Sequence, residues 1–133
     1  MLAIGESHLS RRSRYFTPRE ANSLLQQLVP LVLRAKEVLA RGRDLMSTDQ
    51  HDEVEGVYAE VRGVLAGIRE HGVEIKGLEP ALLDFPALRY GKEVYLCWRE
   101  GEVEITTWHP ISTGIAGRQA LDETEPGAWE WCN

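Results

Sequence analysis

Two groups of residues in this chain have the types and the spacing to do chemistry. The first is Asp84, Cys97 and Glu104. Residues 82–90, 93–99 and 102–108 read as three strands, with Tyr90-Gly91 and Glu100-Gly101 as two-residue hairpin turns. In that register the three side chains fall side by side, roughly 5 Å apart at Cβ. Two carboxylates and a thiol can bind a divalent metal, or raise one another's pKa for acid–base work. The competing account is a half-exposed sheet face on which Arg99 balances Glu102 and Glu104.

The second group is Trp108, His109 and Arg118, with Pro110, Gly114 and Gly117 among them. Here a loop leaves the last strand and can present His109, its glycines let backbone amides approach a ligand, and Arg118 can clamp a carboxylate or phosphate. Neither the Walker nor the dinucleotide glycine pattern is present. The competing account is a turn-rich closing segment whose Arg118 pairs with an acidic neighbour. Ser-His-Asp catalysis has no Gly-x-Ser-x-Gly elbow to support it. Cys97 and His109 are a nucleophile–base combination by type, but the expected register sets them on opposite faces.

The elements that position these residues are legible in order. Residues 1–16 read as an extended arm. Thr17-Pro18-Arg19-Glu20 is a capping box with proline at the first helical position, so a helix starts there. Ala21, Leu24, Leu28, Leu31, Ala35, Val38 and Leu45 recur at three and four, and Leu25, Val32, Leu39 and Met46 form a neighbouring stripe. The helix runs to about Met46. Pro30 should kink it, and Gly42 should weaken its last turns. Ser47 and Gln50 offer a second capping box. The helix that follows runs to about His71, with Val54, Val57, Val61, Val64 and Ile68 on one face and Gly72 stopping it. Gly56, Gly63 and Gly67 inside it suggest close approach of another backbone. The pattern then switches to period two. The expected core face carries Leu83, Phe85, Ala87, Val94, Leu96, Trp98, Val103, Ile105 and Thr107; the other face is mixed and partly exposed. Residues 120–133 form an acidic tail whose Trp129 and Trp131 can fold back.

The fold class is therefore α+β: a long antiparallel two-helix hairpin (17–72) packed on a small three-stranded antiparallel β-meander with its closing loop (73–119). The whole chain of 133 residues reads as a single domain.

Charge limits the function classes. The net charge is −6 and the pI about 5.2, which argues against a general nucleic-acid binder. The balance is uneven: 8 Lys/Arg against 5 Asp/Glu in the first 50 residues, 7 against 16 in the rest. Arg11, Arg12 and Arg14 cluster near the start, either to touch an anionic partner or simply as a solvated terminus. Two cysteines, Cys97 and Cys132, make no disulfide framework, so a reducing compartment is the simpler expectation. With no apolar leader and no apolar run of about 18 residues, a cytoplasmic location and no membrane contact are expected.

Several of these residues also carry a resemblance. Tyr15-Phe16-Thr17 with Glu20-Ala21-Asn22, Gly72 to Lys76, Asp84-Phe85-Pro86, Glu93 to Trp98, Trp108-His109, and Gly114 to Arg118 together resemble a family of small bacterial proteins known only as a domain of unknown function. The resemblance covers about residues 15–119. It implies no activity or cofactor, but it makes Asp84, Cys97, Trp108, His109 and Arg118 motif positions.

From the sequence, the favoured function is a non-enzymatic interaction or scaffold protein. The apolar face of the first helix is wider than one thin sheet covers, so a homodimer forming a four-helix bundle, or a protein partner, is expected. The alternative is a small-ligand or divalent-metal-binding protein, enzymatic or not, using the 108–118 loop and the Asp84/Cys97/Glu104 face.

Overall fold

The fold comes from a computed structural model, which describes residues 14–48, 51–122, 124–125 and 127–129. Helix α1 is Pro18–Met46 and helix α2 is His51–Glu70. Five strands follow: β1 Glu74–Leu78, β2 Ala81–Arg89, β3 Lys92–Arg99, β4 Thr107–Pro110 and β5 Gln119–Ala120, with a 3-10 turn at Gly114–Gly117 before the last. They form one antiparallel sheet in sequence order. The architecture is α+β as expected, but the meander has five strands rather than three.

Helix α1 starts where its capping box requires. The Glu20 amide donates to Thr17 Oγ1 at 3.2 Å, and the Thr17 amide donates to Glu20 Oε1 at 3.0 Å. The helix runs through Pro30 and past Gly42. Gly42 does not end the helix; it is where the hairpin closes, because a Cβ there would lie 3.0 Å from Val57 Cγ1. Gly56, Gly63 and Gly67 do the opposite of what their type suggests: a Cβ at any of them meets nothing within 4 Å. They face away from the helix seam, and no close approach accounts for them. Ser47 caps the end of α1 and bonds back to Asp44; Gln50, its expected capping-box partner, lies outside the described residues.

The core lies between the hairpin and one sheet face. Ala21, Leu25, Leu28 and Val32 from α1 and Ile68 from α2 meet Leu83, Phe85, Leu96 and Trp98. Phe16 stacks edge-on to Phe85 at 5.4 Å between centroids. Each such large side chain taken fully from water contributes about 1.5–3 kcal/mol before entropy is counted.

The β2–β3 hairpin has the expected register: Arg89 opposes Lys92 around Tyr90-Gly91, both at positive φ, and Asp84 opposes Cys97. The next connection differs. Residues 100–106 are not half of a tight hairpin but a loop held from a distance. The Asn22 side chain accepts from the Ile105 amide at 2.7 Å and donates to the Ile105 carbonyl at 3.4 Å. Trp98 Nε1 donates to the Glu102 carbonyl at 2.9 Å. Val103, expected in the core, is 96% exposed. Strand β4 therefore begins at Thr107, which opposes Cys97 where Glu104 was expected. The displacement is an odd number of residues, so every side chain from Thr107 onward changes face.

Candidate functional site

The parity change assembles the site. Trp108 turns into the core, opposite Leu96, and His109 turns to the other face, opposite Tyr95 and on the side of Asp84 and Cys97. The expectation that His109 and Cys97 lie on opposite faces is thereby corrected. So is the place given to Glu104, which sits exposed in the 100–106 loop, away from Cys97's cross-strand position.

The second sheet face is also not the half-exposed surface expected. Strands β2 and β3 are buried on both sides at their centres. Asp84 is 3% exposed, Cys97 1% and His109 2%. Their potential ligand atoms all lie within 4.8 Å of one another. They form the floor of a cavity of about 260 Å³, whose walls are Lys76, Leu82, Tyr95, Ile111, Gly114 and Ile115. The segment carrying the 3-10 turn thus roofs this face.

Hydrogen bonds fix the histidine. Its Nδ1 is 2.8 Å from the Pro110 carbonyl, a pure acceptor, so Nδ1 carries a proton and donates it. Nε2 then faces the Asp84 carboxylate at 3.1–3.2 Å from its two oxygens. Two lone-pair acceptors do not approach so closely without a proton between them, so a hydrogen bond joins Asp84 and His109 Nε2.

The electrostatics are those of a buried acidic cluster. Burial pushes the Asp84 carboxyl up; His109, and Lys76 further off, oppose it. Burial and the neighbouring Asp84 push the Cys97 thiol up to about 12, with Arg118 opposing. At neutral pH Cys97 is therefore a thiol and a poor nucleophile. A bound dication reverses the balance: it stabilises both the carboxylate and the thiolate.

Several residues named on sequence grounds lie elsewhere. Trp108 packs edge-on to Trp129 at 6.3 Å, with the Arg89 guanidinium 4.6 Å from its ring centre. Arg118 donates through Nε to Thr107 Oγ1 at 2.8 Å and pairs with Glu102, so it braces β4 and is committed to an acidic neighbour. Trp129 folds back as expected; Trp131 and Cys132 lie outside the described residues, as do Arg11 and Arg12. Arg14 is stacked over Phe16 at 4.2 Å. Sequence reasoning missed Lys76. Glu74 opposes Asp84, so strand alternation puts Lys76, two residues on, at the wall of the cavity on the same face, beside the β1–β2 register slip between Ile75 and Gly77. The period-two alternation of residues 73–76 was the available signal.

A family model described as an uncharacterized conserved protein, DUF2203, matches residues 14–121. The chain belongs to that family. No curated protein and no solved structure matches it. The DUF2203 match spans all three cluster residues, the Asn22 clamp and the roofing segment. Among the described residues no helix is long and apolar enough to cross a membrane.

Proposed function

We propose that the chain binds one divalent transition-metal ion of the zinc class through Asp84, Cys97 and His109, with its fourth position open to the cavity. The observation that carries this is the Nδ1–H bond to the Pro110 carbonyl. It sets the tautomer and leaves Nε2 as the inward-facing nitrogen, the arrangement that orients metal-ligating histidines. The donor set, one nitrogen, one sulfur and one carboxylate oxygen, suits zinc or cobalt. Tetrahedral bonds of about 2.0–2.3 Å space ligand atoms about 3.3–3.7 Å apart. Closing the cluster from within 4.8 Å needs side-chain adjustments of about an ångström. Three protein ligands and an open fourth position are the pattern of a centre that polarises a bound water or carbonyl.

Cobalt(II) titration tests the proposal. One equivalent should produce a thiolate-to-cobalt charge-transfer band and tetrahedral d–d bands, and zinc should displace them. Cys97→Ser should lose the charge-transfer band, and His109→Ala should lose tight binding, with melting curves showing that both remain folded. A folded wild-type protein with no such spectrum would sink the proposal.

Self-association through the helices is the weaker proposal. The seam residues Ala35, Val38, Val54 and Val61 are buried within the single chain, and Leu31, Leu33 and Met46 are the large apolar side chains exposed on α1. Solution scattering at micromolar concentration decides it: a dimer revives the scaffold function, a monomer removes it.

A further inference from the structure

The cavity above the cluster has its own chemical signature. At about 260 Å³ it is smaller than the pockets that hold drug-sized ligands, which begin near about 300 Å³. Leu82, Ile111 and Ile115 make part of its wall apolar. Its polar groups, apart from the three cluster residues, are Lys76 and Tyr95. The Tyr95 hydroxyl donates to Glu74 Oε2 at 2.6 Å, so it is turned away from a ligand. Lys76 Nζ bonds the other carboxylate oxygen of Glu74 at 2.9 Å and lies 4.9 Å from the centre of the Tyr95 ring. An ammonium has three donors, and Glu74 takes one of them.

Charge decides what those donors read. With a dication in place, the Asp84 carboxylate and the Cys97 thiolate together neutralise it, so the centre carries no net charge. Lys76 is then not needed to balance the floor of the cavity. It stands at the wall with donors available to a ligand, while the metal offers an open position below it. A negative head gains a metal bond and the Lys76 donors, whereas an ammonium head, with no lone pair and no acceptor, gains neither.

Resting on the metal reading above, we infer that the site takes a small organic monoanion: a short-chain carboxylate whose head bonds the metal and Lys76 and whose hydrocarbon body lies against Leu82, Ile111 and Ile115. Strand β1 has a role in this account, since the face it turns toward Asp84 brings the lysine to the wall of a site built on β2, β3 and β4.

The cobalt-loaded protein provides the test, with butyrate, acetate, butyramide and butylamine as probes. Butyrate should shift the cobalt d–d bands saturably and bind more tightly than acetate, while the amide and the amine leave the spectrum unchanged. Lys76→Met should keep the charge-transfer band and weaken butyrate at least tenfold. If cobalt gives no thiolate band, the metal proposal fails and this inference falls with it. If the band forms but butyrate leaves it unmoved, or butyramide binds equally well, or Lys76→Met binds butyrate like the wild type, the anion assignment is overturned while the metal centre stands.

Discussion

If Asp84, Cys97 and His109 hold a metal ion, raising the pH should tighten its binding. Two protons occupy the positions a metal needs. One is on Cys97, whose thiol is pushed up to about 12 by burial and by Asp84. The other lies between Asp84 and His109 Nε2, 3.1 Å apart. The Cys97 group has a raised pKa, so below about 12 it holds its proton, and each unit of pH rise toward that value makes the thiolate tenfold easier to reach. At pH 7 the thiol form dominates, so an ion must displace that proton to reach the sulfur. The Cys97 proton alone makes the apparent affinity rise about tenfold per pH unit around neutrality, and the proton between Asp84 and His109 leaves with it when an ion binds. Competition against a chelator of known pH dependence measures the slope. A pH indicator in weak buffer counts the protons directly. Cys97→Ser should bind more weakly and release one proton fewer. Release of less than one proton by the wild type, or an unchanged slope in Cys97→Ser, would refute the assignment of these protons.

Two further outcomes follow from the packing. Asn22→Ala removes both side-chain bonds to Ile105 and leaves a part-buried amide without its acceptor; urea unfolding should show a loss of about 1–3 kcal/mol. The helical glycines should split. Gly63→Ala, where a Cβ meets nothing within 4 Å, should stabilise by up to about 1 kcal/mol, whereas Gly42→Leu, pressed against Val57 and Tyr58, should destabilise by about 1–3 kcal/mol in the same assay.

What could be read from the sequence was what local rules govern. Thr17 and Glu20 announce the start of α1 because a capping box is complete within four residues. Tyr90-Gly91 sets the β2–β3 register because a two-residue turn leaves it no freedom, and that register already paired Asp84 with Cys97. The place of His109 in the cluster was lost at 100–106, where Glu100-Gly101 looks like a second tight turn. Asn22, far away in the chain, decides otherwise by holding Ile105 against α1. No local pattern records that contact. One clue was available: Trp108 and His109 are neighbours on a strand, and burying the indole in the core sends the imidazole to the opposite face. Reading Val103 as core outweighed it. The glycines of α2 mislead for a related reason, since composition alone does not say which side of a helix faces its partner.

The three cluster residues come from three adjacent strands, and 12 and 11 residues separate them along the chain. An unfolded chain does not hold such a set together, so an ion that binds here binds the assembled sheet. Free metal concentration then becomes a variable of folding: at about a thousand times the dissociation constant, mass action adds about 4 kcal/mol to the native state. For a chain of this size that is a large part of total stability, which for a domain is about 5–15 kcal/mol. The metal supply of its surroundings would therefore set the margin by which the native state outlasts heat, denaturant or protease.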